Sequence, residues 1–532
     1  MTGRKTARTL SAAEVQRMLG DGGEMALIDV REQGVHYKGH PFWACCIPLS
    51  KLEFTAADLL PRRGARIVLF DGGEGLADRA AAKLISYGYT DVAVMAGGIA
   101  AWRDAGFELF SGVNVPSKAF GEFVEHEYET PRIDAAELKA RQDAGEKLII
   151  LDSRPYPEYR RMSIPGGIDA PGAELVYRVH DLVPEPDTLV VVNCAGRTRS
   201  IIGAQSLINA GIPNKVVALK DGTMGWELAG FACERGQHRR APAPSSDGLS
   251  KAQAAAAKVA RRFGVQRCTW DHVRQWQADP DRTLYMLDVR TPEEFEAGHV
   301  HGARSAPGGQ LVQSTDEYVA VRGARLVLMD DTLVRATMTA SWLVQLGWPE
   351  VYVLDGGLMQ LPQVQGGHDA HLFDPPVVDE IAAADLAAAV RSGAAVIDLD
   401  TSLKYRAAHI PGAYWAVRAR LNEAKAKLPP GPSMLAFVGP SPIAAYAARD
   451  AAALWPGVAI KILRGGMKSW RRAELATETG MTRPTTSTDD VWYKPYDHLD
   501  NVEQAMRDYL SWEVNLVDQI KRDGTVRFKI FD

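Results

Sequence analysis

Cysteine is scarce in this chain, and long apolar runs are missing. Five cysteines occur in 532 residues, at Cys45, Cys46, Cys194, Cys233 and Cys268. They form no CxxC pair and no other zinc-type spacing. Cys45 and Cys46 are sequence neighbours, where a disulfide is strained and rare. So sparse and odd a set excludes a disulfide scaffold and predicts a reducing, cytoplasmic setting. No segment approaches the roughly 20 apolar residues of a membrane span, so no membrane partner is expected. The opening Met-Thr-Gly-Arg-Lys-Thr-Ala-Arg carries charge without an apolar core, which argues against a secretory signal. An excess of positive charge is absent as well. A net charge of −5 and a pI near 6.2 argue against general nucleic-acid binding.

What the chain does contain is a repeat. Four apolar runs end in aspartate, at Asp29, Asp152, Asp288 and Asp398. The first three continue as Asp-x-Arg, with Arg31, Arg154 and Arg290; the fourth has Asp400 instead. Each is followed by a turn element: Gly39-His40-Pro41, Ser163-Ile164-Pro165-Gly166, His299-Val300-His301-Gly302 and His409-Ile410-Pro411-Gly412. Later come the paired turns Gly97-Gly98, Asp221-Gly222, Gly356-Gly357 and Gly465-Gly466, with Trp102, Trp226, Leu361 and Trp470 at a fixed offset. At 532 residues the chain has room for several domains of ordinary size. The units are placed at 8–113, 130–237, 264–368 and 377–480. Residues 238–263 join the second and third as a polar linker followed by an alanine-rich helix from about Lys251. This grouping makes two pairs of units. An extension, 481–532, follows: an amphipathic helix over Asn501–Arg522 and a strand over Thr525–Phe531. Val502, Met506, Leu510, Val514, Val517 and Ile520 form the helix stripe, expected to pack on its own chain, with partner binding or homo-oligomerisation as the competing role.

Within each unit short apolar strands alternate with helical patterns. That predicts an α/β fold, a parallel sheet with helices on both faces, and ligands at the carboxyl ends of the strands. At one such end, after Leu189 to Asn193, stands Cys194-Ala195-Gly196-Arg197-Thr198-Arg199-Ser200. The spacing from Asp152 to Cys194, laid off from Asp29 and Asp288, lands on Asp71 and Asp330; the fourth copy, one residue shorter, has Gly439. Only the second unit carries a nucleophile there. A thiol reacts as thiolate, and a helix N-terminus near Ser200, Arg197, Arg199 and inward loop amides would each favour that form. A buried structural cysteine is the plainer alternative, but two arginines are costly neighbours in an apolar core.

The repeated unit resembles the rhodanese domain, and the chain resembles a sulfurtransferase with four tandem rhodanese-like units. The features that carry the resemblance are Asp-x-Arg, the His-Ile-Pro-Gly-Ala type turn, the six-residue loop Cys194 to Arg199 and Gly-Gly-x-x-x-Trp. In paired rhodaneses an inactive first unit often has Asp at the cysteine position, as Asp71 does before Cys194. Ser163 in place of the turn His, Asp221 in place of Gly, and a second pair without cysteine depart from the pattern. The resemblance implies that Cys194 takes sulfur from an anionic donor such as thiosulfate and passes it, through a persulfide, to cyanide or a thiol. A protein acceptor is a further possibility. Ala195 through Ser200 would bind the donor, with Arg197 and Arg199 neutralising it, while Asp152 and Arg154 support the loop. No metal or organic cofactor is implied. Mercaptopyruvate relatives tend to have smaller, uncharged loops, and related phosphatases have Cys-x5-Arg, where this chain has Ser200. A scaffold or sulfur carrier is the non-enzymatic alternative. The recurring tryptophans and His299, His301 and His409 are read as packing or turn residues, and Cys233 as a remote candidate to resolve Cys194.

Overall fold

The computed structural model describes residues 7–358 and 361–532, so the charged opening run 1–6 lies outside the described residues. The four repeats are four five-stranded parallel sheets with one topology. Reading across each sheet, the unit's first strand is followed by its fifth, fourth, second and third. In the second unit these are Arg132–Ile133, Val216–Leu219, Leu189–Asn193, Leu148–Asp152 and Ile168–Asp169. Parallel neighbours need crossover connections, which puts helices on both faces and apolar side chains on both sides of every strand. The first unit shows this division. Ile28, Ile67 and Leu69 pack against helices Leu52–Leu59 and Leu76–Ser86. Their neighbours Leu27, Val68 and Phe70 pack against helix Ala12–Gly20 and Trp102. The third unit also pairs His299–Val300 with Gln363–Val364 in an antiparallel ribbon.

Three readings change. The linker is not slack. Ser245 caps a helix that begins at Ser246, earlier than Lys251, and runs to Phe263. Asp169 donates its amide to the Arg239 carbonyl at 2.9 Å and accepts from the Ala241 amide at 2.9 Å, pinning the segment to the second sheet. Nor do the units form two separate pairs. One continuous core joins units one, three and four, with Leu59, Tyr285 and Trp415 all in it. Arg418 of the fourth unit grips Glu53 of the first at 2.7 and 2.8 Å. Arg335 of the third reaches Glu174 of the second at 3.0 Å. Finally, residues after Gly524 join no sheet. The expected strand is an extended segment laid over helices, with Lys529 donating to the Gln345 carbonyl at 2.7 Å and Phe528 against Phe120.

The C-terminal helix, Val502–Asp523, does pack on its own chain, as its stripe predicts. Met506, Leu516 and Ile520 are buried, but Val514 is half exposed and the carboxylate of Glu513 is fully buried in the stripe. Its neighbour is helix Val115–Tyr128, which links units one and two and also packs on helix Thr198–Ala210.

Candidate active site

The strand Leu189–Asn193 ends deep in the second sheet, and the chain bends through Cys194 to Arg197 before helix Thr198–Ala210 starts. Cys194 is 2% exposed. Its thiol lies 3.5 Å from the Ser200 hydroxyl, which itself donates to the Arg197 carbonyl at 2.8 Å. The loop's carbonyls point away from the sulfur. Those of Cys194 and Ala195 accept from the Thr223 and Met224 amides at 2.9 and 3.0 Å. This clamp requires Gly222, with φ +56°, because a Cβ there would stand 2.3 Å from the Cys194 carbonyl oxygen. Among the described residues, no partner is found for the amides of Ala195, Gly196 and Arg197. They are free to serve an anion.

The equivalent loops show what the cradle holds. In the first unit the Asp71 carboxylate accepts from the Gly73 amide at 2.8 Å and the Ala77 amide at 3.0 Å. In the third, Asp330 accepts from Leu333 at 2.7 Å and Arg335 at 2.9 Å. The aspartates fill their own anion sites. Cys194 occupies that register with sulfur, and Gly439 with no side chain.

Asp152 and Arg154 form the loop's base. Arg154 donates to Asp152 at 2.9 and 2.7 Å and to the Met162 carbonyl at 2.6 Å, and Asn193 donates to Asp152 at 3.0 Å. Arg31 and Arg290 repeat the arrangement onto Gly39 and Gly298. A pair shared with units that lack the thiol supports the fold. Without an arginine, Asp398 leaves Oδ2 buried and unpartnered, and burial pushes its carboxyl up to about 7.

The two loop arginines part company. Arg197 was expected at the donor. It turns away instead into a buried cluster, bonded to Glu122 at 2.7 Å, to Glu125, and to Asp221 at 3.2 Å. A guanidinium so buried needs these carboxylates more than it needs solvent. The cluster also accounts for Asp221, which holds φ +61° where the other units have glycine and gains the Arg197 contact in return. Arg199 does face the site. It bonds Glu158 at 2.9 Å and Gln310 of the third unit at 3.2 Å. Burial opposes charge on Glu158, but Arg199 outweighs it and holds that carboxyl at about 2. Burial likewise opposes charge on Arg199, and Glu158 and the Cys194 sulfur more than offset it.

Above the loop lies a cavity of about 240 Å³, with Ala195, Arg199 and Met224 at its floor. Its walls come from Arg154 and Glu158 of the same unit, Gln33 and Val113 from the first, Gln310 and Glu317 from the third, Asn114 and Lys118 between the first two units, and Trp492, Lys494, Tyr496 and Tyr509 of the extension. Glu158 carries no sequence signal that would place it here, and the extension's contribution was missed. Glu513 accepts from Thr198 at 3.2 Å and Tyr509 at 3.0 Å and pairs with Lys118 at 3.1 Å. Its other oxygen has no partner and lies against Gly196, 3.2 Å from where a Cβ would stand. A carboxylate inside the apolar stripe was the available signal. The remaining candidates are packing groups. Trp102, Trp226 and Trp470 are buried and donate to the carbonyls of Glu108, Ala232 and Ala476. His299 and His409 stack on Phe295 and Tyr405, both 3.7 Å away, and His301 is exposed. Ser163 takes the His position with backbone bonds to Glu234. Cys233 packs near Trp226, where burial pushes its thiol up to about 12.

Sheet order, Asp-x-Arg support and a thiol in an amide cradle define an α/β protein with one nucleophilic site among four like units. The rhodanese-like domain model matches residues 11–105, 134–229 and 269–361. These make up more than half of the chain, which belongs to the rhodanese family. A crystal structure of thiosulfate sulfurtransferase from Pseudomonas aeruginosa is 48% identical, covers 99% of this chain and 100% of its own, and superimposes with TM-score 0.94. Among curated proteins, an HTH-type transcriptional regulator of Mycobacterium tuberculosis, Rv0324, is 36% identical over 104 residues, 20% of this chain and 45% of that protein. The uncharacterised YqhL of Bacillus subtilis is 38% identical over 76 residues, 14% of this chain and 59% of its own length. The chain thus spans about half the length of these two curated relatives.

Proposed function

We propose that this chain is a thiosulfate sulfurtransferase working through a persulfide on Cys194. One observation carries the reading: Cys194 stands where two sister loops bind an aspartate carboxylate with their own amides. A sulfur anion at that point meets free amides at two of the same positions, Gly196 and Arg197. The near-complete likeness to the Pseudomonas protein supports the reaction class.

In the first half-reaction the Cys194 thiolate attacks the outer sulfur of thiosulfate. The S–S bond of the donor breaks, sulfite leaves with the electron pair, and Cys194 keeps the transferred sulfur. Ala195, Gly196 and Arg197 supply amides to that sulfur, and the N-terminus of helix Thr198–Ala210 adds its dipole. Arg199 and Lys494 face the anionic donor from opposite elements. In the second half-reaction cyanide or a thiolate attacks the outer sulfur and Cys194 leaves as thiolate. Arg197 has a different role from Arg199: it anchors the loop through Glu122 and Asp221.

The test is intact mass after incubation with thiosulfate. The wild type gains one sulfur atom, which cyanide removes as thiocyanate, and Cys194→Ser gains none and turns over at background. Absence of that mass gain in the wild type would falsify the reading.

A further inference from the structure

Beside the Cys194 cavity lies a larger one, about 470 Å³, to which the chemistry above gives no task. It forms where the extension crosses the first unit. The two cavities share Trp492, Pro495 and Tyr509, so these side chains form the partition between them. Their walls differ in kind. The smaller is densely charged, edged by Lys118, Arg154, Arg161, Arg199 and Lys494, most of them paired with carboxylates, and by Glu158 and Glu317. The larger is aromatic, with Tyr37, Tyr493 and Trp512 joining the shared Trp492 and Tyr509. The Trp492 and Tyr509 rings lie 5.8 Å apart at 28°, close to parallel. Trp512 is wedged against Gly112, where a Cβ would stand 2.2 Å from the ring, so that wall is held by backbone. The chamber has no surplus of positive charge. Lys38 faces Asp508 and Asp489, and Asp489 is already bonded to Arg420 at 2.6 Å.

An anionic donor gains little in such surroundings, whereas a flat apolar body gains stacking area and loses water. At roughly 30 Å³ for each water displaced, the space suits a body of about ten to twenty non-hydrogen atoms. We propose that this aromatic chamber is the acceptor subsite, holding the body of a low-molecular-weight organic thiol whose sulfur reaches Cys194 past Trp492 and Tyr509. The inference rests on the sulfurtransferase reading above. The step is an exchange between sulfurs. The acceptor loses its proton to solvent, its thiolate attacks the outer sulfur of the Cys194 persulfide, and a new S–S bond forms. The bond to Cys194 breaks and its electron pair returns to Cys194, with no net oxidation.

The experiment loads the full chain with thiosulfate and follows discharge by three acceptors: 4-mercaptobenzyl alcohol, 2-mercaptoethanol and cyanide. At matched thiolate concentration the aryl thiol is expected to half-saturate at about one-tenth the concentration of 2-mercaptoethanol. Tyr37→Ala, at a residue that lines only the larger chamber, is expected to raise KM for the aryl thiol at least fivefold. Cyanide discharge should stay within twofold, and Tyr37→Phe should restore aryl-thiol binding. Equal KM values for the two thiols would overturn the proposal, as would a Tyr37→Ala effect shared equally by cyanide. Failure to load any sulfur is a different result: it removes the sulfurtransferase reading, and this inference with it.

Discussion

Arg197 and Arg199 are two residues apart on one loop and do unrelated work, because one points into protein and the other into a cavity. Arg199 is the cation that faces the cavity, and its planar fork already spans Glu158 and Gln310. Arg199→Ala is expected to lower kcat/KM for thiosulfate about 10- to 100-fold, mainly through KM, as measured by steady-state assay. The same change frees Glu158. With Arg199 gone and only Lys494 and Arg154 left to oppose burial, that carboxyl rises from about 2. The pH profile of the variant should therefore gain an acid-side change that the wild type lacks, and Glu158→Gln in the same background should remove it.

Elements from distant parts of the chain meet at the loop. Glu513 on the C-terminal helix holds Thr198, the first residue of the helix behind Cys194. Glu513→Gln is expected to slow persulfide formation about tenfold, since small displacements of a reacting group are costly. Thr198→Val, which removes one of the three contacts made by Glu513, should slow it less, and the double variant little beyond the larger single effect. Rapid-quench mass measurement reads all three. Equal persulfide rates in Glu513→Gln and wild type would leave the contact a merely structural one. In the fourth unit, the strand ending at Asp398 lacks the arginine of its sisters. Its carboxyl, pushed up to about 7 by burial, gives stability that is full below the unfolded value near 4. That stability falls as pH rises to about 7. Asp400→Arg restores the partner, with the Ala408 carbonyl at the register where Arg31, Arg154 and Arg290 find theirs. The variant is expected to raise the melting temperature at pH 8 more than at pH 5, from an interaction on the order of 2 kcal/mol. Equal shifts at the two pH values would contradict this account.

At the scale of the whole molecule, the units without a nucleophile are walls and braces. The Cys194 cavity takes side chains from the first and third units and from the extension, and the fourth unit is locked to the first through Arg418 and Glu53. Burial would raise the Glu53 carboxyl, but Arg418 outweighs it and holds it at about 2. A depressed value stabilises above the unfolded value, about 4.3, and that support is lost as pH falls from there toward 2. Glu53→Gln leaves the buried Arg418 guanidinium to Asp450 and the Ser50 carbonyl alone and is expected to cost about 2 kcal/mol. Hydrogen exchange across Leu52–Leu59 should rise in the variant at pH 7, and in the wild type only below pH 4.

Local pattern determined the repeat, the parallel α/β units, the register of Asp71, Cys194, Asp330 and Gly439, and the Asp152–Arg154 support, because each depends on residues near one another in sequence. It also showed the C-terminal helix, whose stripe follows from helical period. It misplaced Arg197, since a side chain's direction depends on partners such as Glu122 that lie far away in the chain. It read Thr525–Phe531 as a strand, since extended backbone becomes a strand only where a sheet edge is open to receive it. The grouping of the units, the cover over Cys194 and the aromatic chamber were decided by tertiary structure alone. They arise where surfaces from four units and the extension meet, and no spacing along one chain records which buried charge will find which partner.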